Sequence, residues 1–472
     1  MNREDTPFIH CIETPIGQYV FDVNQNQFLS ISDEGLYRAL QALEENGEEP
    51  APEYETEISK LQTRGFLSSR RPQEMRHGMT DMLEYQLNHN IEQMTLQLTQ
   101  ACNFRCSYCT YAPRDFSYQR EHTSKRMSWD TAQQAIDFYA AHSYECMEPT
   151  IGFYGGEPLL AFDLIQQIVE YAQQKFEGKG LRFTITTNGS LLVPRTAQYL
   201  QDKQISVMVS LDGDRTSHNR SRKIAKTGEG SFDLIMKNLR VLKDTMPDFF
   251  SKIRYNVVMD SRFSGEEVTS FFSENELFAD SQVTPVSIED GLSMERTVTS
   301  DVFYAQRQKQ ILHSLLLLLN KVSPDALPKL SRSALDRGLQ YIRENMTKAE
   351  MSPVVSHSGP CLPGQRRLFV DVDGKFFPCE RVSETSAAML IGDIHSGFDY
   401  EQAKKLLNVC QLTENACRNC WALAHCKACC RMCDNMGELS GGLKLTNCRE
   451  FQSSVESDFR LYLLLKEHHI QI

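Results

Sequence analysis

Short apolar runs alternate with amphipathic stretches along the middle of the chain. The runs predict five β-strands, Met94–Leu98, Thr150–Tyr154, Arg182–Thr187, Ser206–Ser210 and Ile253–Met259. The stretches between them predict four helices, Trp129–His142, Phe162–Phe176, Pro194–Gln201 and Phe232–Asp244. This order predicts an α/β fold with a parallel sheet, open or curled into a partial barrel, in which ligands bind at the carboxyl ends of the strands.

The chain before this region has a different pattern. Strand-like runs cover Phe8–Glu13, Gln18–Val23 and Phe28–Ser32, and helices are predicted from Ser32 or Asp33 to Glu44 and over Glu53–Gly65. Residues 1–85 are therefore predicted to form a winged-helix-like domain. DNA binding has little support, because the region is acidic apart from a few arginines at its end. Residues 261–355 are predicted to be a mostly helical bridge, with its leucines in the core.

Composition narrows the class of protein. A chain of 472 residues has room for about two to four domains, and its 41% hydrophobic and 24% charged residues are typical of soluble proteins. The leucine run Leu315–Leu319 is too short to span a bilayer, and the polar N-terminus lacks the features of a signal peptide. A net charge of −12 argues against nucleic acid as a partner. We expect a cytoplasmic protein with no membrane or nucleic-acid partner.

Three cysteines follow the first predicted strand with the spacing C-x3-C-x2-C, namely Cys102, Cys106 and Cys109. Three thiolates can hold three irons of a [4Fe–4S] cluster and leave the fourth iron to a small molecule. In this setting the small molecule is expected to be S-adenosylmethionine (SAM), whose reductive cleavage gives a carbon radical. A zinc site or a chance spacing is the alternative for the triplet taken alone.

Polar motifs follow the next three predicted strands. Gly155-Gly156-Glu157-Pro158 offers close backbone approach and a carboxylate for a cationic amine. Asn188 lies in the second motif, and Ser210 and Asp212 lie in the third, where they could bind ribose hydroxyls or a carboxylate. Tyr108 could pack on a purine. Each motif alone is more often an ordinary turn, but their order along successive strand ends favours one ligand site.

These features resemble the radical SAM superfamily over residues 94–260. The resemblance implies a partial (β/α)6 barrel in which Cys102, Cys106 and Cys109 hold the catalytic cluster. It further implies that Gly155, Gly156 and Glu157 contact the amino group of SAM. Ser210, Asp212 and Arg222 would hold its ribose or carboxylate, and Asn188 would be a further contact.

The C-terminal cysteines form a second pattern. Cys361 and Cys379 flank Gly374 and precede the series Cys417-x2-Cys420-x5-Cys426-x3-Cys430, which Cys448 closes. This pattern resembles the seven-cysteine SPASM domain of radical SAM peptide-modifying enzymes, over residues 361–472. The resemblance implies two further [4Fe–4S] clusters, an outer one on Cys417, Cys420, Cys426 and Cys448 and an inner one on Cys361, Cys379 and Cys430. Paired zinc knuckles are the alternative.

Three cysteines exceed the pattern, namely Cys410, Cys429 and Cys433, and any of them could replace an assigned ligand. If three cysteines hold the inner cluster, its fourth iron is either open or ligated by Cys410. An open iron could hold the sulfur of a substrate cysteine beside the carbon radical. In that case we expect the three extra cysteines to be dispensable for cluster assembly.

The pattern and position of the N-terminal domain resemble the RiPP recognition element, which binds the leader of a ribosomal precursor peptide as an added strand. The runs Pro7–Pro15 and Phe21–Asn26 look most like those of ranthipeptide-type maturases, which act on cysteine-rich peptides. This resemblance implies an enzyme that joins cysteine sulfur to carbon in a cysteine-rich precursor, using three [4Fe–4S] clusters, SAM and an external electron donor such as flavodoxin or ferredoxin.

Three other functions stay open. A carbon–carbon crosslinking maturase would share all of these features. An anaerobic sulfatase-maturing enzyme, which forms formylglycine, would share the barrel and the cysteines but does not usually need a leader-binding domain. A non-catalytic iron–sulfur sensor would not need the SAM motifs, and formation of 5′-deoxyadenosine would separate it from an enzyme. No general base can be assigned.

Overall fold

The structure is a computed structural model, which describes residues 6–111, 120, 122–278, 281–287, 299–323, 328–357, 359 and 361–470. It begins with a three-stranded antiparallel sheet and two helices: β1 (Ile9–Glu13), β2 (Gln18–Asp22), β3 (Gln27–Ser30), α1 (Glu34–Asn46) and α2 (Glu55–Thr63). Asp33 begins α1 because its carboxylate accepts a hydrogen bond from the Leu36 N–H at 2.9 Å. The predicted order of strands and helices is confirmed in this segment, whereas its role as a leader-binding domain stays a prediction.

The middle of the chain contains the predicted alternation of strands and helices. Its elements are β4 (Glu74–Met75), α3 (Leu83–His89), β5 (Gln93–Thr99), β6 (Phe104–Cys106), α4 (Trp129–His142), β7 (Thr150–Gly155), α5 (Phe162–Lys175), β8 (Arg182–Thr187), α6 (Pro194–Asp202), β9 (Ile205–Ser210), α7 (Arg215–Ser221), β10 (Arg222–Ile224), α8 (Phe232–Thr245), α9 (Pro247–Phe250), β11 (Arg254–Met259), α10 (Glu266–Glu274) and β12 (Gln282–Ser287). All five predicted strands and all four predicted helices are present, and the parallel sheet is confirmed.

A sixth parallel strand, β12, pairs with β11 inside the segment that was predicted to be a mostly helical bridge. This strand was not predicted because Pro285 interrupts its apolar pattern. Proline is tolerated there because β12 lies at the edge of the sheet, with β11 as its neighbour. The bridge leucines differ from expectation as well, because Leu315–Leu319 are half-buried rather than fully buried.

The remaining elements include α11 (Asp301–Leu318), α12 (Lys329–Asn345), β13 (Val354–Val355), β14 (Leu368–Val370), β15 (Lys375–Phe377), β16 (Gly392–Asp393), β17 (Gly397–Phe398), α13 (Tyr400–Leu407), α14 (Glu414–Arg418), α15 (Gly441–Thr446) and α16 (Cys448–Glu467). None of the helices in the described ranges combines the length and apolar character needed to cross a membrane.

One mixed sheet joins the central and C-terminal regions. Its strand order is β12-β11-β9-β8-β7-β5-β14-β15-β16-β17. The C-terminal strand β14 lies parallel to β5, with Phe369 opposite Thr95 and Val370 opposite Leu96. A continuous apolar core extends from Leu83 on α3 to Cys433. The two cysteine-bearing regions therefore share one sheet and one core, and their relative position is fixed by backbone pairing.

The N-terminal sheet packs against the C-terminal helix α16. Phe21 lies 4.5 Å from Phe459 between ring centroids, and Phe28 lies 5.0 Å from the same ring. The His10 ring stacks on Trp421 at 3.7 Å, next to Cys420 in the sequence. Removal of the N-terminal domain would therefore expose an apolar face of the C-terminal region, and its function is better tested with point variants than with a deletion.

We expect Phe459→Ala to lower the free energy of unfolding by about 3–5 kcal/mol, because its fully buried ring fills the contact between these two regions. Ser454→Ala, an exposed position on the same helix, is the matched control. Urea unfolding of the purified protein measures both. Equal midpoints for the two variants would show that the N-terminal sheet does not depend on this contact.

Candidate active site

A cavity of about 640 Å³ is lined by residues of the parallel strands and by residues of the C-terminal region. Alternate side chains of the parallel strands point inward and bring polar groups to its wall. The inward residues include Gln93, Thr95, Gly152, Thr184, Thr186, Ser206, Ser210, Asn256 and Thr284. The outward residues of the same strands, such as Leu96 and Val207, are buried in the apolar core. The alternation in the sequence thus separates a ligand-binding interior from a packed exterior.

Most of the predicted site residues meet at this cavity. Its lining includes Cys102, Cys106, Tyr108, Cys109, Gly155, Gly156, Asn188, Ser210 and Arg222. Glu157 and Asp212 are buried beside it and do not line it. The C-terminal region contributes Arg367, Glu380, Arg381 and Arg431 to the same lining, which the sequence analysis did not identify.

Short backbone contacts hold the cysteine triplet in place. The Cys102 Sγ accepts a hydrogen bond from the Phe104 N–H at 3.3 Å, and the Cys109 Sγ accepts one from the Tyr111 N–H at 3.4 Å. Cys106 lies on β6, which pairs antiparallel with β10 and places it opposite Arg222. The three thiols are close enough for each to affect the charge of another.

These thiols fit an iron–sulfur cluster. Burial raises the pKa of Cys102 to about 12, and burial also raises the pKa of Cys106. A buried thiol loses its proton when a bound metal supplies the compensating positive charge. In the described part of the chain, no group of three or more histidine, cysteine, aspartate or glutamate side chains is arranged to hold one metal ion. A cubane cluster spreads its ligands over separate irons, so its thiols need not converge in this way.

The two glycines of the Gly155–Pro158 motif allow close packing against the residues just before Cys102. An added Cβ at Gly155 would lie 2.3 Å from the Thr99 carbonyl oxygen, and one at Gly156 would lie 2.3 Å from the Ala101 carbonyl oxygen. The Gly156 N–H donates to the Thr99 carbonyl at 2.8 Å. The motif therefore fixes the start of the cysteine loop while its backbone faces the cavity.

The Glu157 side chain is held by protein donors, and its contact with the amino group of SAM stays a prediction. Its fully buried carboxylate accepts hydrogen bonds from the Thr187 hydroxyl at 2.7 Å, the Asn188 N–H at 2.7 Å and the Leu159 N–H at 3.1 Å. The side chain thus points into the protein because local donors satisfy it there. It ties the end of β7 to the end of β8 and positions Asn188, whose amide lies 3.9 Å from the Cys102 Sγ.

Asp212 is also held by protein groups. It accepts hydrogen bonds from Arg222 Nε at 2.8 Å, from the Val258 N–H at 3.0 Å and from the Tyr108 hydroxyl. Burial opposes its charge, but Arg222 and the hydrogen bonds hold the pKa of Asp212 below its usual value. The Arg222 guanidinium lies 5.3 Å from the centre of the Tyr108 ring. Arg222 and Tyr108 can contact a ligand directly, whereas Asp212 positions them.

Behind this ion pair lies a hydrogen-bonded histidine that the sequence analysis missed. The Asp212 N–H donates to His218 Nδ1 at 3.2 Å, and His218 Nε2 lies 2.9 Å from the Ser231 hydroxyl. Burial lowers the pKa of His218 to about 4, so the ring is neutral at pH 7. A single histidine on a short polar helix gave no signal in the sequence, because its role depends on contacts across the fold.

The C-terminal cysteines fall into two neighbourhoods. The outer one contains Cys417, Cys420, Cys426 and Cys448, which is the predicted outer set. The inner one contains the predicted Cys361, Cys379 and Cys430 together with Cys429. Glu380 and Arg381 follow Cys379, Arg431 follows Cys430, and all three line the cavity. The inner thiols therefore lie close to the side of the cavity opposite the barrel strands.

Comparison with known proteins shows which family part of the chain resembles. Residues 96–260 match the family model of the radical SAM superfamily. The chain is 26% identical over 163 residues to the radical SAM cyclopropyl synthase TigE of Paramaledivibacter caminithermalis, an alignment that covers 33% of each chain. It is 29% identical over 160 residues to a cysteine-type anaerobic sulfatase-maturating enzyme of Clostridium novyi, covering 33% of this chain and 40% of that one. The chain thus spans less than half the length of these curated relatives.

A solved structure described as native anSMEcpe with bound AdoMet and Kp18Cys peptide has a TM-score of 0.57. The match covers 80% of this chain and 99% of that one at 17% identity, so it establishes a shared fold. Residues 96–260 therefore resemble the radical SAM superfamily in sequence, and 80% of the chain shares the fold of anSMEcpe. Domains of that superfamily use a [4Fe–4S] cluster and SAM.

We expect Arg222→Ala to lower the free energy of unfolding of the cluster-free protein by about 3–5 kcal/mol, because the Asp212 carboxylate is left buried without its cation. Arg215→Ala breaks an exposed ion pair with Asp233 and should cost at most about 1 kcal/mol. Urea unfolding at pH 7 compares the two. Similar losses for both would mean that the Asp212–Arg222 pair is not buried in solution.

Glu157 should make stability depend on pH. Burial raises the pKa of Glu157 from 4.5 to about 7. Between pH 4.5 and pH 7, the folded state therefore binds more protons than the unfolded state. Its contribution to stability is therefore greatest below pH 4.5 and declines as the pH rises towards 7. Glu157→Gln should remove this decline when urea midpoints of the cluster-free protein are compared across the range. Parallel pH profiles for the two proteins would contradict the assignment.

Proposed function

We propose that this chain is a radical SAM peptide maturase that installs sulfur-to-carbon thioether crosslinks in a cysteine-rich ribosomal precursor. The observation that carries the proposal is the shared cavity. The catalytic triplet lines one side, and residues adjoining the inner cysteine group line the other. A substrate in this space would lie between a radical source and an electron acceptor.

Thioether formation requires both a radical source and an electron acceptor. When bound, the reduced cluster and SAM supply a 5′-deoxyadenosyl radical. For each crosslink, the acceptor carbon loses one hydrogen atom to that radical, the cysteine thiol loses one proton, and one electron must leave as the C–S bond forms. Auxiliary [4Fe–4S] clusters on the inner and outer cysteines would accept this electron and pass it to an external carrier such as flavodoxin or ferredoxin. The proximity of the inner cysteines to the cavity supports this route.

The charge of the cavity favours an acidic substrate segment. Among the residues that the structure describes, its lining contains five arginines and one acidic residue: Arg222, Arg254, Arg367, Arg381, Arg431 and Glu380. This is opposite to the net charge of −12 of the whole chain. Glu380 forms an ion pair with Arg367 at 2.5 Å, so the lining keeps an excess of positive charge. Peptide carboxylates near the modified residues would be attracted to these guanidinium groups.

The N-terminal domain offers a place for the leader. No described strand pairs with the outer edge of β3, whose backbone groups could therefore pair with an added peptide strand. The domain also contains a groove of about 870 Å³, lined by residues of α1, α2 and the loop after α2, including Leu43, Ile58 and Phe66. This groove shares no lining residue with the cavity at the cysteine triplet, which suits a binding role without chemistry.

Formylglycine formation is the second candidate. It is favoured by the shared fold with anSMEcpe over 99% of that structure's chain. The N-terminal domain favours a maturase of precursor peptides, because a free strand edge and a groove provide a docking site separate from the cavity. A carbon–carbon crosslinking maturase has the same requirements as the leading proposal and differs in its product.

One experiment separates these functions. The reduced, reconstituted enzyme is incubated with SAM and a cysteine-rich precursor encoded beside it, and the peptide is analysed by mass spectrometry after thiol alkylation. Thioether formation removes two hydrogen atoms per crosslink and makes one sulfur resistant to alkylation. A carbon–carbon crosslink removes two hydrogens and leaves every thiol alkylatable, whereas formylglycine formation from cysteine removes the sulfur. Either of these last products would overturn the thioether proposal.

Controls test the assignment of the catalytic site. Replacement of Cys102, Cys106 and Cys109 by alanine should abolish 5′-deoxyadenosine formation, whereas Cys146→Ala, an isolated buried cysteine, should leave it unchanged. A precursor without its leader should be modified more slowly by the wild-type enzyme. Absence of 5′-deoxyadenosine with the wild-type protein would favour an iron–sulfur sensor.

A further inference from the structure

Cys429 lies outside the seven-cysteine pattern, yet it belongs to the inner group of thiols. Its side chain and that of Cys430 hydrogen bond to each other. Cys361 and Cys379 are near enough for the charge of Cys429 to act on both of them. Cys429 therefore shares a neighbourhood with all three predicted ligands of the inner cluster.

The backbone explains why these residues meet. An added Cβ at Gly359 would lie 1.8 Å from the Ala428 carbonyl oxygen, so the segment that leads to Cys361 lies directly on the segment that leads to Cys429. Cys379 follows β15, which belongs to the ten-stranded sheet. Three separate segments thus converge, and two of them are fixed by direct backbone contact.

Local hydrogen bonds also fix the conformation of Cys429. It precedes a short helical turn over Cys430–Cys433, and its carbonyl oxygen accepts hydrogen bonds from the Met432 N–H at 3.0 Å and from the Cys433 thiol at 3.8 Å. The turn lets the neighbouring side chains of Cys429 and Cys430 reach the same group of thiols.

The other two extra cysteines are held elsewhere. The fully buried Cys410 donates its thiol to the Met75 carbonyl at 3.6 Å and packs with Met75 and Leu423. Cys433 directs its thiol to the Cys429 carbonyl oxygen rather than towards the inner group. The charges of Lys444 and Cys417, which lie at the outer cysteines, act on both of these thiols.

We propose that Cys429 is the fourth cysteine ligand of the inner cluster, beside Cys361, Cys379 and Cys430. This inference rests on the proposed function insofar as that function places an iron–sulfur cluster on the C-terminal cysteines. Four thiolates saturate a [4Fe–4S] cluster, so the inner site has no iron open to a substrate sulfur and serves in electron transfer alone. The proposal replaces the sequence expectation of an open or Cys410-completed iron.

The test uses a protein in which Cys102, Cys106 and Cys109 are alanine, so that the remaining iron belongs to the C-terminal clusters. In this parent we expect about eight irons per chain and a reduced-state EPR spectrum that does not change when imidazole is added. Cys429→Ala in the same background should either lose about four irons or give a spectrum that shifts with imidazole, because one iron is opened. Cys410→Ala and Cys433→Ala should retain the parent's iron and spectrum.

A second variant covers the case in which Cys429→Ala does not fold. Cys429→Ser keeps the size of the side chain and replaces sulfur with oxygen, so iron should be retained and the EPR spectrum should change. An unchanged spectrum and iron content in the folded Cys429 variants would overturn the assignment, as would a loss caused by Cys410→Ala or Cys433→Ala in place of Cys429→Ala. A parent protein that binds zinc or no iron would overturn the auxiliary clusters themselves, and with them the role of Cys429.

Discussion

The parallel pairing of β14 with β5 is the constraint on which the rest of the site depends. β5 carries the chain into the cysteine triplet, and β14 is followed by the hairpin that leads to Cys379. Because these strands are neighbours in one sheet, the two cysteine regions cannot move apart without breaking backbone hydrogen bonds in a buried core. The cavity between them is therefore a fixed space, and a substrate placed in it meets both regions at once.

Buried polar groups then determine the shape of the cavity wall. Glu157 joins the ends of β7 and β8, and Asp212 joins Tyr108, Arg222 and the backbone of β11. Both carboxylates are removed from water and depend on specific donors, so their loss would disturb several strand ends together. Polar residues at strand ends thus have two roles here. The residues that face the cavity are available to a ligand. The residues that face the protein interior hold these cavity-facing residues in position.

The sequence predicted local structure well and long-range contact poorly. Strands with strong apolar alternation, such as β8, were identified, and the cysteine spacing led to the triplet. β12 was missed because Pro285 weakens its pattern, although an edge strand tolerates it. The inward orientation of Glu157 could not be inferred, because its donors Thr187 and Asn188 lie 30 and 31 residues away, at the end of β8. Cys429 was identified only as a cysteine outside the seven-cysteine pattern. Its proximity to the inner cysteines depends on the packing of Gly359 against Ala428, which the sequence does not reveal.

The proposed function requires one cavity between two iron sites. Crystals of the reconstituted enzyme, measured on both sides of the iron absorption edge, would locate the iron. We expect anomalous iron density at Cys102, Cys106 and Cys109, and at the group formed by Cys361, Cys379, Cys429 and Cys430, with the cavity between them. Zinc at the C-terminal cysteines, or iron there on a side facing away from the cavity, would contradict it.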